Sequence, residues 1–255
     1  MADAELLAGA VREAGALACS LFRQSVKGWT KSDGSPVTEA DLAVDATLKA
    51  RLHAARPDYG WLSEETPDSG DRLARSHVWI VDPIDGTRAF AEGGDEWCVA
   101  AALLVDGRPR LAAIHRPMTG DFYEAAQGSG ARLNGEPLRV AGSSALAGAR
   151  VLGNAAALKR LQAAAPVEAV AAGSTPLAMR LARVAQGRLD AALSTTPKHD
   201  WDLAAGDLLV HEAGGIVTGL DGGRFVYNRP ETRQKDYVAS SPALHAALLE
   251  QLATS

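Results

Sequence analysis

The chain contains few cysteines and no long run of apolar residues. Cys19 and Cys98 are the only cysteines among 255 residues. A disulfide framework is therefore excluded and a reducing, cytoplasmic compartment is expected, although a single bridge between the two stays open. No apolar run is long enough to span a bilayer, and the N-terminus lacks the basic region of a signal peptide. These absences argue against a secreted or membrane-bound protein.

Concentrated positive charge is also missing. The net charge is −5, and Lys and Arg are scattered along the sequence rather than clustered. A nucleic-acid surface needs a basic patch, so no nucleic-acid polymer is expected as a partner. Hydrophobic residues make up 47% of the chain, which is enough to bury a sizeable core and to exclude wholesale disorder.

The hydrophobic periodicity predicts a mixed α/β fold. Helical and strand-like segments alternate, and no internal repeat is present. We expect a loop over 28–37, helices over 3–24, 38–55, 155–164, 173–186, 203–213 and 241–252, and an antiparallel meander of strands over 78–82, 97–105, 110–116 and 121–126. The loose composition near residue 141 predicts an N-terminal half, 1–140, and a C-terminal half, 141–255.

Two carboxylates stand three residues apart in Val81-Asp82-Pro83-Ile84-Asp85-Gly86-Thr87. An extended chain alternates its side chains, so Asp82 and Asp85 converge only if the backbone bends. Pro83 and Gly86 supply such a bend. Hard cations such as Mg²⁺ prefer carboxylate oxygens together with water and phosphate. The segment therefore indicates a metal site, and the alternative is a turn in which these residues serve conformation only.

Other segments along the chain also carry clustered polar or glycine residues. They are Lys31-Ser32-Asp33-Gly34-Ser35-Pro36-Val37-Thr38-Glu39-Ala40-Asp41, Glu64-Glu65, His199-Asp200-Trp201-Asp202 and Gly214-Gly215. With the central segment they span residues 31 to 215 and resemble the inositol monophosphatase superfamily of Mg²⁺-dependent, often lithium-sensitive phosphatases. The resemblance implies a layered αβαβα sandwich in which both halves contribute to one active site.

The resemblance also implies how two or three Mg²⁺ ions are held. Glu64, Asp82 and the backbone carbonyl of Ile84 would bind the first ion, and Asp82, Asp85 and Asp202 the second. Glu64 would take part in a third, weaker site. The alternatives are a solvated loop acid for Glu64 and a helix N-cap for Asp202.

A second set of residues is expected to act on water and phosphate. By the same resemblance Asp41 and Thr87, together with Glu64, would orient and activate the attacking water. Asp41 has an alternative role in a capping box with Thr38, and Thr87 could instead cap the short helix that follows it. Backbone N–H groups of Gly86 and Thr87 would hold the phosphate at a helix start.

The residues expected to bind substrate argue against an inositol phosphate as the substrate. Inositol phosphatases carry a glutamate shortly before Trp-Asp, whereas residues 194–198 contain no acid and end in Lys198. Lys198, Arg88 or Arg180 could pair with a second phosphate, or they are ordinary surface cations. The remaining candidates for substrate contact, carried over from the family, are Asp85, Gly173, Ser174, Thr175 and His199.

The sequence as a whole predicts a phosphomonoesterase for a small phosphorylated metabolite. Residues 31–41 and 62–65 look most like the bacterial CysQ type, which converts 3′-phosphoadenosine 5′-phosphate to AMP and phosphate. The alternatives are an inositol-1-monophosphatase or, from Gly86-Thr87-Arg88-Ala89-Phe90, a histidinol phosphatase. An inactive metal- or phosphate-binding regulatory module is a further alternative, which the complete set of acids disfavours. A homodimer is compatible with the family.

Overall fold

A computed structural model describes residues 2–24, 26–32 and 34–253. The helices are α1 (Asp3–Phe22), α2 (Glu39–Ala55), α3 (Thr87–Ala91), α4 (Ala155–Ala164), α5 (Leu177–Ala185), α6 (Asp200–Glu212) and α7 (Pro242–Ala253), with a 3₁₀ turn at Asp71–Ala74. The strands are β1 (Gly28–Thr30), β2 (Pro36–Thr38), β3 (Gly60–Ser63), β4 (His77–Asp85), β5 (Cys98–Val105), β6 (Arg108–Arg116), β7 (Asp121–Ala126), β8 (Gly130–Leu133), β9 (Glu136–Pro137), β10 (Arg150–Gly153), β11 (Glu168–Ala171), β12 (Ala191–Ser194), β13 (Lys198–His199), β14 (Ile216–Thr218), β15 (Arg233–Gln234) and β16 (Tyr237–Ser240).

A seven-stranded sheet runs in the order β3-β4-β5-β6-β7-β8-β9. Strands β4 to β7 pair antiparallel with their sequence neighbours, as the predicted meander requires. Alternate side chains of β4 point to opposite faces. Trp79 and Val81 pack with α1 and α2, whereas Val78 and Ile80 pack with α5 and α6. Both faces of the sheet are therefore covered by helices.

A five-stranded sheet, β11-β10-β12-β16-β14, forms the second β layer. Helices α5 and α6 lie between the two sheets, because their apolar residues share one core with residues of both. Helices α4 and α7 cover the outer face of the second sheet, through Leu158, Leu161, Leu244 and Leu248. The order of layers is helix, sheet, helix, sheet, helix, and the predicted αβαβα sandwich is confirmed.

Several boundaries differ from the sequence-based expectation. The helix expected from residue 173 begins at Leu177, since Pro176 occupies the N-cap and Gly173 has a positive φ of 52°. Helix α6 begins at Asp200 rather than at residue 203. The segment 28–37, expected as a loop, contains β1 and part of β2, which pair antiparallel. Residue 33 of that segment lies outside the described residues.

The two cysteines do not form a bridge, because both are free thiols. None of the helices in the described ranges combines the length and the apolar character needed to cross a bilayer. The division of the chain near residue 140 stays a prediction. The seven-stranded sheet ends at Pro137, and the five-stranded sheet starts at Arg150.

We predict that Gly206→Ala destabilises the protein by about 1–3 kcal/mol. A Cβ atom at Gly206 of α6 would lie 2.6 Å from the Cβ of Leu181 on α5. The two helices would have to separate between the sheets, and this outweighs the gain of about 1 kcal/mol in helix propensity. Urea unfolding measures the change. Gly142→Ala is the matched control, because no heavy atom lies within 4 Å of its Cβ position. Equal stability of both variants would contradict the prediction.

Candidate active site

The predicted bend lies at the end of β4. Pairing with β5 shifts register between Asp82 and Asp85, so the strand does not continue regularly to its last residue. Gly86 follows with a φ of 102°, and α3 begins at Thr87. A side chain at Gly86 would also collide, because a Cβ would lie 2.7 Å from the carbonyl oxygen of Glu96. Glycine is therefore required both for the turn and for the close approach.

Three acids from separate elements converge at this bend. Glu64 follows β3, Asp82 lies on β4, and Asp202 lies in the first turn of α6. One carboxylate oxygen from each lies within 4.8 Å of the others. Because β3 and β4 are parallel neighbours, their carboxyl ends reach the same edge of the sheet.

Asp85 lies beside these three acids rather than within their cluster. It lines the same cleft, of about 210 Å³, together with Glu64, Asp82 and Asp202. Its carboxylate accepts a hydrogen bond of 2.7 Å from the backbone N–H of Ala178 on α5. The cleft therefore joins four carboxylates, carried by a loop, a strand and a helix.

Burial and mutual repulsion perturb these acids strongly. Burial, followed by the charge of Glu64, raises the pKa of Asp82 well above its usual value. Burial, followed by the charge of Asp85, raises the pKa of Asp202 to about 8. Burial also raises the pKa of Asp85 to about 6, although the N–H of Ala178 opposes the shift. Negative charge is thus costly in this cleft unless a cation balances it.

The donor set fits a hard divalent cation. Asp82 is only 1% exposed, and its Oδ1 atom is buried without a hydrogen-bond partner. A buried carboxylate oxygen needs a partner. The surrounding ligands are all oxygens, which suits Mg²⁺ rather than a softer metal. A bound cation would give that oxygen its partner and would offset the repulsion between the acids.

Lys31 is a charged neighbour to which sequence reasoning assigned no role. Its Nζ donates to Glu64 Oε1 at 3.0 Å and to Glu65 Oε1 at 2.7 Å. Burial lowers the pKa of Lys31, but the two glutamates outweigh that effect and the pKa is raised. Burial raises the pKa of Glu65 to about 7, although the hydrogen bond from Lys31 opposes the shift. The sequence signal for Lys31 was its place at the start of the segment 31–41, of which Ser35 and Pro36 line the cleft.

Asp41 forms the predicted capping box and also contacts Thr87, while its action on water stays a prediction. Its Oδ2 accepts from the backbone N–H of Thr38 at 2.8 Å and from the Thr38 hydroxyl at 2.6 Å, which forms the capping box of α2. Its Oδ1 accepts from the hydroxyl of Thr87 at 2.8 Å. Burial raises the pKa of Asp41. The cap position of α3 belongs to Gly86, so Thr87 does not serve as that cap.

A second cleft of about 300 Å³ adjoins the first. It is lined by Asp85, Gly86, Arg88, Ala89, Gly173, Ser174, Thr175, Pro176, Leu177, Arg180, Lys198 and Asp202. Most of the residues expected to contact substrate therefore share one surface. Lys198 is half-buried, and this burial lowers its pKa. Arg180 donates to the carbonyl of Thr175 at 2.8 Å.

His199 does not line either of these two clefts. Its ring stacks on Trp201, with 4.3 Å between centroids and 6° between planes. Its backbone N–H donates to Asp202 Oδ2 at 2.9 Å. Asp202 therefore occupies the third position of α6 and closes a capping box, rather than serving as the N-cap itself. His199 orients Asp202 through its backbone.

Comparison with known proteins agrees with this arrangement. A family model described as "Inositol monophosphatase family" matches residues 3–255. A Streptomyces griseus protein named glucose-1-phosphate thymidylyltransferase is 41% identical over 199 residues, which are 76% of each chain. The 3′(2′),5′-bisphosphate nucleotidase CysQ of Aggregatibacter actinomycetemcomitans is 34% identical over 223 residues, which are 83% of this chain and 82% of that one.

Solved structures agree as well. The inositol monophosphatase of Anabaena (Nostoc) sp. PCC 7120 superposes with a TM-score of 0.83 at 26% identity. The match covers 98% of this chain and 94% of that one. The likeness therefore extends over nearly the whole fold.

We predict that the stability of the metal-free protein falls as pH rises from about 4 to about 8. Asp85, Glu65 and Asp202 have folded-state pKa values of about 6, 7 and 8, above their unfolded values near 4. The folded state therefore binds more protons in this window, and the free energy of unfolding decreases as the protons leave.

Urea unfolding in the presence of a chelator, at several pH values, measures this slope. Asp202→Asn should flatten it, because the variant keeps a side-chain acceptor but cannot ionise. Glu5→Gln, at an exposed position of α1, is the control and should leave the slope unchanged. Added Mg²⁺ should restore stability at pH 8. A slope identical in Asp202→Asn and the unaltered protein would contradict the prediction.

Proposed function

The chain belongs to the inositol monophosphatase family of phosphoric monoester hydrolases, and from that premise we propose that it converts 3′-phosphoadenosine 5′-phosphate to AMP and phosphate. The observation that carries this choice is the charge of the two adjoining clefts. Asp85, Asp202 and Arg88 line both clefts, but the acids Glu64 and Asp82 line only the first, and the cations Arg180 and Lys198 line only the second. A substrate with two phosphates has one group for each cleft.

The carboxylate cleft would hold Mg²⁺ and the phosphate that is removed. Glu64, Asp82 and the carbonyl of Ile84 would bind a first ion, and Asp82, Asp85 and Asp202 a second. When bound, the metal neutralises phosphoryl oxygens and makes a coordinated water more acidic. The backbone N–H groups of Gly86 and Thr87 would hold a phosphoryl oxygen beside the bend.

Thr87 and Asp41 would handle the proton of the attacking water. The Thr87 hydroxyl donates to Asp41, so its oxygen retains a lone pair that can accept a hydrogen bond from water in the cleft. Water then attacks phosphorus in line, its proton passes by way of Thr87 toward Asp41, and the bond to the 3′-oxygen breaks. The 3′-oxygen takes up a proton from solvent water and leaves as the hydroxyl of AMP, Asp41 returns its proton to solvent, and no phosphoenzyme forms.

Two rival substrates have support of their own. The solved inositol monophosphatase that superposes on this chain supports inositol 1-phosphate. The segment Gly86-Thr87-Arg88-Ala89-Phe90 supports histidinol phosphate. Neither rival provides a second anionic group for Lys198. An inactive regulatory module is disfavoured, because Asp41, Thr87 and all four acids are present and close together.

We predict that Thr87→Ala lowers kcat by about 10²–10⁴-fold, the usual contribution of a group that takes part in proton transfer. Thr87→Ser keeps the hydroxyl and should retain most of the activity. Steady-state phosphate release with Mg²⁺ measures both variants. Since Thr87 is buried, circular dichroism and thermal unfolding should first establish that each variant folds. Near-normal turnover in Thr87→Ala would exclude the proposed proton path.

We also predict that the protein prefers 3′-phosphoadenosine 5′-phosphate over inositol 1-phosphate and histidinol phosphate at equal concentration. Lys198→Ala should raise KM for the nucleotide about tenfold or more, because a charge-assisted hydrogen bond to the second phosphate is lost. The KM for inositol 1-phosphate should not change. Lys198→Arg is the matched control that keeps the charge. A preference for either monophosphate would overturn the nucleotide assignment and leave the phosphatase assignment in place.

A further inference from the structure

A buried carboxylate behind the carboxylate cleft has no place in the chemistry described above. Asp45 lies on α2 and is 7% exposed. Its Oδ1 accepts from the hydroxyl of Ser63 at 2.5 Å, and its Oδ2 accepts from the hydroxyl of Thr66 at 2.5 Å. Both of its oxygens are therefore committed to the same short turn.

That turn carries the acid pair Glu64-Glu65, and Ser63 and Thr66 are the residues on either side of it. The Ser63 hydroxyl also accepts from the backbone N–H of Glu65 at 3.3 Å. The Asp45 carboxylate thus fixes the turn on both sides of the acid pair. We propose that Asp45 is a positioning residue that holds Glu64 in the orientation needed for metal binding. The inference rests on the proposed function, since it concerns how that metal is held.

Helix geometry connects these contacts of Asp45 to the active site. Asp41 and Asp45 are four residues apart on α2 and so lie one turn apart on the same face. Asp41 holds Thr87, and Asp45 holds the turn that bears Glu64. One rigid helix therefore fixes the relative positions of the water-activating hydroxyl and the metal-binding acid. Lys31 provides a separate tether, which acts on the glutamate side chains rather than on the residues that flank them.

Two hydroxyl donors require a group with two acceptors. Asparagine at position 45 has the same shape but only one acceptor oxygen, so one of the two hydroxyls loses its acceptor. The partners that orient metal ligands typically contribute 10–100-fold to metal affinity. Asp45→Asn should therefore weaken Mg²⁺ binding by about 10–100-fold.

Isothermal titration of Mg²⁺ into the metal-free protein tests this directly, with the Mg²⁺ dependence of phosphate release as a second readout. The matched control is Asp190→Asn. Asp190 is 5% exposed and also accepts from a serine hydroxyl, that of Ser143, but it lies beside the second sheet. The Asp190→Asn substitution should lower the melting temperature and leave Mg²⁺ affinity unchanged.

A second pair of variants covers the case in which Asp45→Asn does not fold. Thr66→Val removes one hydroxyl and should weaken Mg²⁺ binding, whereas Thr66→Ser keeps it and should bind Mg²⁺ normally. Unchanged affinity in Asp45→Asn or Thr66→Val, with only a lower melting temperature, would overturn the positioning role. Failure of the unaltered protein to bind Mg²⁺ and release phosphate would instead overturn the proposed function, and the positioning role with it.

Discussion

The negative charge buried at the end of β4 is the constraint around which the rest of the structure is arranged. Asp82 lies near the end of β4, a strand in the interior of the seven-stranded sheet, and burial is the largest cause that makes its charge unfavourable. Glu64 and Asp202 add further negative charge within a few ångströms. Such a cluster persists only when nearby donors and cations offset the repulsion. Lys31 and the N–H groups of Ala178 and His199 supply part of that compensation.

The direction of the helices supplies further compensation for this negative charge. Three helices from two layers have their first turns at the two clefts. Asp41 of α2 accepts from Thr87, the N–H of Ala178 of α5 donates to Asp85, and Asp202 of α6 lines both clefts. The free N–H groups of a helix start carry partial positive charge, which favours acids and phosphate nearby. The layered architecture therefore has an electrostatic consequence. The outer helix α2 and the central helices α5 and α6 present their positive ends to one region, although they come from distant parts of the chain.

Hydrophobic periodicity and capping patterns predicted the elements that depend only on residues close in sequence. The capping box of α2, the meander from β4 to β7 and the helix 155–164 all follow from periodicity and cap chemistry. The hairpin of β1 and β2 was missed because its Gly, Ser, Asp and Pro residues favour loops. The start of α5 was placed four residues early, because Gly173 gives the same turn signal as Pro176. Asp45 was overlooked, since an acid on a helix is usually solvated and its burial depends on the turn after β3.

On the proposed function, substrate choice depends on the contrast in charge between the two clefts. Lys198 lines the second cleft, where burial already disfavours its charge. A half-buried cation is stabilised by an anion and gains little from a neutral polyol. Discrimination is a difference between two affinities, so an unpaired cation penalises the wrong substrate as well as favouring the right one. On the proposed function, the missing acid in residues 194–198 and the presence of Lys198 therefore act in the same direction. The first removes a partner for sugar hydroxyls, and the second provides a partner for phosphate.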